Sequence, residues 1–244
     1  MTNVRPHRLS LVTLTAGLLS LAVLTLGMVE AITQPVVFYS ADALYDHVYS
    51  SDEGLAVRVE QGGMRFTARY FPPEALLVND ARRAERLRDQ LAADTTLDAR
   101  VRTARIDSLA RHLETRRAAY AETVSFTITI GAADGADLVY SRLRREGYAR
   151  YGVWLERLLF GLEEHLTLEV GDVEVPCSGY VMERNYGMAP ARTFLVSFPA
   201  RYDGLDLRAA APATLVLDEF GLGTGSVALR FSRLDADLRY ALAR

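Results

Sequence analysis

The sequence predicts a mainly β, α+β fold: an antiparallel β-sandwich or partly open barrel with helical insertions, preceded by an N-terminal apolar helix. Three observations predict it. Several short segments alternate apolar and polar residues with a period of two and are bounded by glycine turns. One long internal stretch abandons that alternation for Ala, Leu, Arg and Glu, which favour helix. A single uncharged run of 21 residues, Leu9 to Val29, stands near the N-terminus.

The uncharged run comes first. A helix of that length is roughly 30 Å long, the thickness of a bilayer's hydrocarbon core. Arg5, His7 and Arg8 precede it, and no Arg or Lys follows it until Arg58. That asymmetry places the N-terminus in the cytoplasm and the remainder outside. Residues 1–32 are therefore assigned to a signal peptide or membrane anchor, and 33–244 to an extracytoplasmic β-rich domain. Val29-Glu30-Ala31 offers a small-residue cleavage site, while the length of the run favours a retained anchor. Lipid attachment is excluded, because the one cysteine is Cys177. The same count excludes an intramolecular disulfide, so core burial must hold the domain together.

Composition agrees with a folded domain, at 50% hydrophobic and 24% charged residues. A net charge of -3 gives no general attraction to nucleic acid. All 28 basic residues are Arg, spread among 31 acidic ones.

Within the domain, Val36 to Tyr39 predicts a short strand and Ala41 to Val48 a short helix. Leu55, Val57 and Val59 alternate with Ala56, Arg58 and Glu60. Gly62-Gly63 supplies the positive φ angles of a two-residue turn, which sets Val59 opposite Phe66 and Glu60 opposite Arg65. Pro72-Pro73 ends that hairpin. Residues 74–123 then predict a helical-hairpin insert. Leu87 and Leu91 lie one turn apart, as do Leu109 and Leu113, with Ile106 and Tyr120 on the same stripe. Asp94-Thr95-Thr96 interrupts the run, and Thr96 is the expected N-cap of its second helix. Val124, Phe126, Ile128 and Ile130 form the next strand, alternating with Ser125, Thr127 and Thr129. Residues 137–164 predict a helix broken at Gly147, with an apolar face of Tyr151, Trp154, Leu155, Leu158, Leu159 and Leu162. Gly171-Asp172 turns a second hairpin, and strands follow at 193–198, 214–220 and 226–232. The two hairpins share no fixed period that would make a repeat.

Catalytic patterns are weak. Cys177 and His165 suggest a nucleophile and base, but the hairpin register sets Cys177 against Leu166 and His165 against Ser178, on opposite faces. Residues 221–226 resemble a glycine-rich phosphate loop, yet a strand follows where a dinucleotide site needs a helix N-terminus. His7, His47, His112 and His165 have no metal-ligand spacing. Asp134 with Asp137, and Asp235 with Asp237, offer too few oxygens for calcium. The acidic pairs Asp52-Glu53 and Glu163-Glu164 cannot be set across a cleft by sequence. The residues thus point to no catalytic group, no cofactor and no metal.

What remains is surface. Tyr180, Tyr186 and neighbouring methionines suggest an aromatic loop between strands. Leu109, Leu113 and Tyr120, if left uncovered by the sheet, form a seam for a protein partner. The expected function is binding or assembly in the envelope, with the membrane and a protein as partners. An envelope hydrolase with dispersed loop residues and an accessory subunit of a membrane complex are the alternatives.

Overall fold

The computed structural model describes residues 35–50, 55–183, 189–209, 212–234 and 238–243. The apolar segment within residues 1–32 lies outside them. Among the described residues no helix is long and apolar enough to cross a membrane. The domain from Val36 onward is one compact unit.

Its elements, in chain order, are β1 (Val36–Phe38), α1 (Ala41–Ser50), β2 (Ala56–Gln61), β3 (Met64–Phe71), α2 (Pro73–Ala93), α3 (Ala99–Tyr120), β4 (Thr123–Ala132) and α4 (Leu138–Phe160). A 3-10 turn (Leu162–His165) leads into β5 (Leu166–Val170), β6 (Val173–Pro176), β7 (Gly179–Met182) and β8 (Arg192–Pro199). The chain closes with β9 (Arg201–Tyr202), β10 (Leu205–Asp206), β11 (Ala213–Leu217), β12 (Val227–Phe231) and β13 (Leu238–Tyr240). Helix takes about 39% and strand about 34% of the described residues. The fold is therefore mixed α+β and not mainly β. Two long helical segments, α2–α3 and α4, outweigh strands that are mostly short.

The sheets are mostly antiparallel, and none closes into a barrel. Five strands run in the order β2-β3-β4-β8-β7 and four in the order β12-β11-β5-β6. The register of the first hairpin follows from its turn. Gly62 and Gly63 adopt φ of 59° and 75°, and Val59 pairs with Phe66, Val57 with Ala68 and Glu60 with Arg65. In the second hairpin Leu168 pairs with Val175 and Val170 with Val173.

Alternation buries one face of each sheet. Phe66, Phe126, Ile128, Phe194 and Val196 from the larger sheet join Leu168, Leu215, Leu229 and Phe231 from the smaller one in a single apolar cluster. The Phe126 and Phe231 rings meet at 5.1 Å. Trp154, Leu158 and Leu162 add the inner face of α4 and the turn after it. Gly147 breaks α4 with φ 76° and ψ 167°, as its sequence predicts.

A second apolar cluster lies under the helical hairpin. It holds Leu44 and Val48 of α1, Leu77, Val78 and Ala81 of α2, Leu113 of α3 and Tyr240 of β13. Here β1 and β13 pair in parallel, Phe38 beside Tyr240. Phe38 accepts the Ala241 N–H at 2.9 Å on one edge of β13. On the other edge there is no strand among the described residues. Glu74 and Arg117, only 5% and 9% exposed, take its place. Tyr240 N–H donates to Glu74 Oε2 at 3.2 Å, and the Tyr240 carbonyl accepts from Arg117 Nη2 at 2.7 Å. Arg117 Nε donates to Glu74 Oε1 at 2.5 Å. A buried ion pair thus performs the hydrogen bonding of a missing neighbouring strand.

Four strands escape the alternation signal: β7, the two-residue strands β9 and β10, and β13. The cap of α3 also differs. The Asp94 carboxylate accepts both the backbone N–H and the hydroxyl of Thr96, at 2.9 and 2.6 Å. With Thr96 so engaged, Asp98 caps the helix by accepting the Arg100 N–H at 2.8 Å.

Replacing Arg117 by Met leaves Glu74 buried without its cation and strips the Tyr240 carbonyl of its donor. We expect destabilisation of about 3–5 kcal/mol in denaturant unfolding. The double variant Glu74→Leu/Arg117→Met is expected to recover only part of this, because Tyr240 N–H and C=O then lack partners. Full recovery would show that the pair does not serve the strand.

Candidate functional site

The helical insert is the element least explained by the fold. At its base α2 buries Leu77, Val78, Ala81 and Ala84, and α3 buries Leu113 and Arg117. From residue 85 to residue 112 no described residue is buried. The two helices there rest on one another, and the far part of the hairpin forms an arm. Leu87 and Val101 are 38% and 43% exposed.

Two hollows run along the seam between the helices and share Leu87 and Leu109. One, of about 230 Å³, lies beside Asp80, Arg83 and His112. The other, of about 450 Å³, lies beside Gln90, Leu91, Asp94 and Arg105. Together they make a groove with a leucine floor. The acids at its ends are already engaged. Asp80 accepts from Arg116 Nε and from the Tyr120 hydroxyl, each at 3.1 Å. Asp94 holds Thr96, whose hydroxyl and backbone N–H keep its carboxyl below the usual range. Arg83 and Arg105 have no acidic partner among the described residues.

The residues expected to form a partner surface divide. Leu109 lines both hollows. Leu113 is turned inward, 3% exposed in the second core, and offers no surface. Tyr120 is half-buried and tied to Asp80 and Arg116, with burial first among the causes that raise its pKa. Tyr180 lies on the edge strand β7, not in a loop. Its hydroxyl donates to the Leu158 carbonyl at 3.1 Å and fastens the strand to the end of α4. Tyr186 lies outside the described residues. Arg83 and Arg105 escape sequence reading. Arg105 has no acid three or four positions away, which is a usable signal, whereas the acid near Arg83, Asp80, is taken by Arg116 from the other helix.

The catalytic patterns resolve into structural roles. Cys177 N–H bonds to the Leu166 carbonyl, and its thiol points to the carbonyls of Gly179 and Ser197 at 3.4 and 3.6 Å. Burial pushes that thiol up, away from the thiolate a nucleophile needs. His165 lies against Phe220, at 6.0 Å between rings. Asp134 accepts the Ala136 N–H, and Asp137 caps α4 by accepting the Tyr140 N–H at 2.6 Å. Glu163 and Glu164 are exposed on the 3-10 turn. Asp52, Glu53, Asp235, Asp237 and His7 lie outside the described residues. Among the described residues no group of three or more His, Cys, Asp or Glu side chains could hold a metal.

The glycine-rich loop is already filled by the chain itself. Glu219 accepts the backbone N–H groups of Gly221, Gly223 and Gly225 at 2.5, 3.0 and 2.8 Å. Partial burial raises the carboxyl, but these donors outweigh it and hold the pKa below its usual value. Gln61 Nε2 clamps the loop by donating to the Thr224 and Ser226 carbonyls at 2.6 and 3.0 Å. A Cβ at Gly62 would meet Thr224 at 3.0 Å, so the first hairpin's tip lies directly against it. A further hollow of about 200 Å³ sits over Gly131, flanked by Arg65, Thr67 and Thr129. Arg65 there is committed to Glu60 at 2.7 Å and to the Ala133 carbonyl at 3.1 Å.

No family model and no curated protein matches this chain. A crystal structure of a novel protein of unknown function from Burkholderia pseudomallei K96243 aligns over 82% of this chain and 91% of its own length, at 14% identity and a TM-score of 0.32. A score that low carries no argument about fold or function.

Two outcomes test these assignments. The Cys177 thiol is expected to react with a thiol-directed chromophore at least about tenfold more slowly in the native state than in urea; equal rates would make it an accessible nucleophile. Glu219→Gln is expected to cost about 1 kcal/mol at neutral pH. The folded carboxyl titrates below the unfolded one, so this stabilisation is present above the unfolded carboxylate range, about pH 4.5, and lost as pH falls below it. Unfolding curves of the two proteins should therefore converge in acid.

Proposed function

We propose that this chain is an exported or membrane-anchored envelope protein that works by binding or assembly, and that its helical arm is the contact surface. The observation that carries the reading is the arm itself. Two helices of 21 and 22 residues extend past their own core with an open apolar seam between them. An apolar stripe is stable in water when another element covers it. Glu85 and Arg88 still bond the Tyr240 hydroxyl, the Ala41 N–H and the Ala243 carbonyl, but a monomer that needed the insert only for its own stability would gain little from the part beyond them, residues 89–108.

The compartment rests on the sequence. The uncharged run from Leu9 to Val29 behind a basic leader supports a membrane anchor or export signal. We read the two main sheets, which share one apolar cluster, as halves of a sandwich that serves as a rigid base. In this reading the sheets, α4 and the glycine loop maintain the base, and the arm does the work. The roles found for Cys177, Tyr180 and Glu219 are consistent with that division, since each binds the chain's own backbone.

Photo-cross-linking in bacterial cells tests the proposal. A photoreactive amino acid at Leu87 or Val101 is expected to capture a protein from the membrane fraction. The same group at Gly171, on the β5–β6 turn, should give at least about fivefold less product if hot-spot contacts cluster on the arm. Equal capture from both places would defeat the arm as contact surface. Recovery of the intact chain from the cytosol alone would defeat the envelope assignment.

A further inference from the structure

We infer that the groove of the arm takes a single amphipathic helix with an acidic flank, so that the bound arm becomes a three-helix bundle. This deepens the binding role proposed above and rests on it. The groove is as long as one short helix. The groove runs from the level of Asp80 to that of Asp94, or about 21 Å along α2, which matches roughly four turns of helix. Its floor presents Leu87, Leu91 and Leu109, spaced to receive apolar side chains at i, i+3, i+4 and i+7. A third helix laid along a two-helix seam is the smallest addition that covers it.

The charge on the rim selects the flank of that helix. Asp80 is spent on Arg116, and the Asp94 carboxylate, which Thr96 holds but does not neutralise, is spent on the nearby Arg102 guanidinium within the arm. Arg83 on α2 and Arg105 on α3 are not, and one stands beside each hollow. The uncommitted charge on the rim is therefore positive, on both helices and at both ends. A helix carrying Glu or Asp beside its apolar stripe would satisfy both guanidiniums, and an Arg-flanked helix would be repelled. A second copy of the arm is a poorer occupant, because it would bring its own unpaired Arg83 and Arg105 to the same rim.

The probe is a pair of labelled 18-residue model helices with a common leucine stripe, one flanked by Glu and the other by Arg. Each is titrated by fluorescence anisotropy against the full chain in lipid nanodiscs. We expect the Glu-flanked peptide to bind with a Kd on the order of 10–100 μM, as for small transient interfaces, and the Arg-flanked one at least about tenfold more weakly. Leu87→Asp should abolish the first interaction. Arg83→Glu/Arg105→Glu should reverse the preference, and because both side chains are exposed this variant leaves the core untouched. Equal affinity for the two peptides, or no reversal in the double variant, would overturn the proposal. So would self-association through the groove that excludes the Glu-flanked peptide. If the peptides fail while cross-links from Leu87 persist, the arm remains the contact surface and the acidic-helix chemistry is wrong.

Discussion

The buried pair of Glu74 and Arg117 is the constraint around which the helical half of the domain is organised. Two opposite charges removed from water are costly unless they are paired and further hydrogen bonds hold them. Here Glu74 receives both Arg117 and the Tyr240 N–H, while Arg117 gives to Glu74 and the Tyr240 carbonyl. Glu114 adds a second anion on the exposed side and lies also within reach of Arg239. Arg117 stays cationic because these two carboxylates outweigh its burial. The arrangement ties the first turn of α2, the last turns of α3 and the final strand into one unit.

That unit also connects the beginning of the domain to its end. Tyr240 inserts its ring into the second core and sends its hydroxyl to Glu85, which also accepts the Ala41 N–H at the start of α1. Burial, together with the Glu85 carboxylate, pushes the Tyr240 phenol well above its ordinary range, so it remains a donor. The parallel pair β1–β13 would be marginal as an isolated ribbon. It persists because one edge is bonded by the ion pair and one face is covered by α1 and α2. The root of the arm is fastened by the same contacts, whereas no described residue from 85 to 112 is buried.

Elsewhere the domain turns features that resemble chemistry into structural ties. A glycine-rich segment that leaves three N–H groups convergent would attract an anion. Glu219 supplies that anion from the same chain, and Gln61 fastens the loop to the first hairpin across more than 160 residues of sequence. The Tyr180 hydroxyl does comparable work for β7 and α4. These contacts join elements that share no hydrogen-bonded ladder, which explains why polar groups near the surface are engaged with backbone and not turned outward.

By itself the sequence determined whatever depends on neighbours within a turn or across a tight hairpin. Gly62-Gly63 set the pairing of Val59 with Phe66, alternation identified the inward residues of β4, and Gly147 marked the break in α4. It also showed the uncharged run at residues 9–29, a local property of composition. The tertiary structure decided the rest. Strand β13 has three residues and no alternation to detect, and it exists because Glu74 and Arg117, far apart in sequence, meet on its edge. Leu113 and Leu109 lie one turn apart and look equivalent, yet the base of the arm buries the first and leaves the second on the groove. That Arg83 remains uncommitted was likewise hidden, since Asp80 is claimed by Arg116 across the helix pair. Burial and ion pairing are long-range competitions, and the order of residues along one chain does not record their winners.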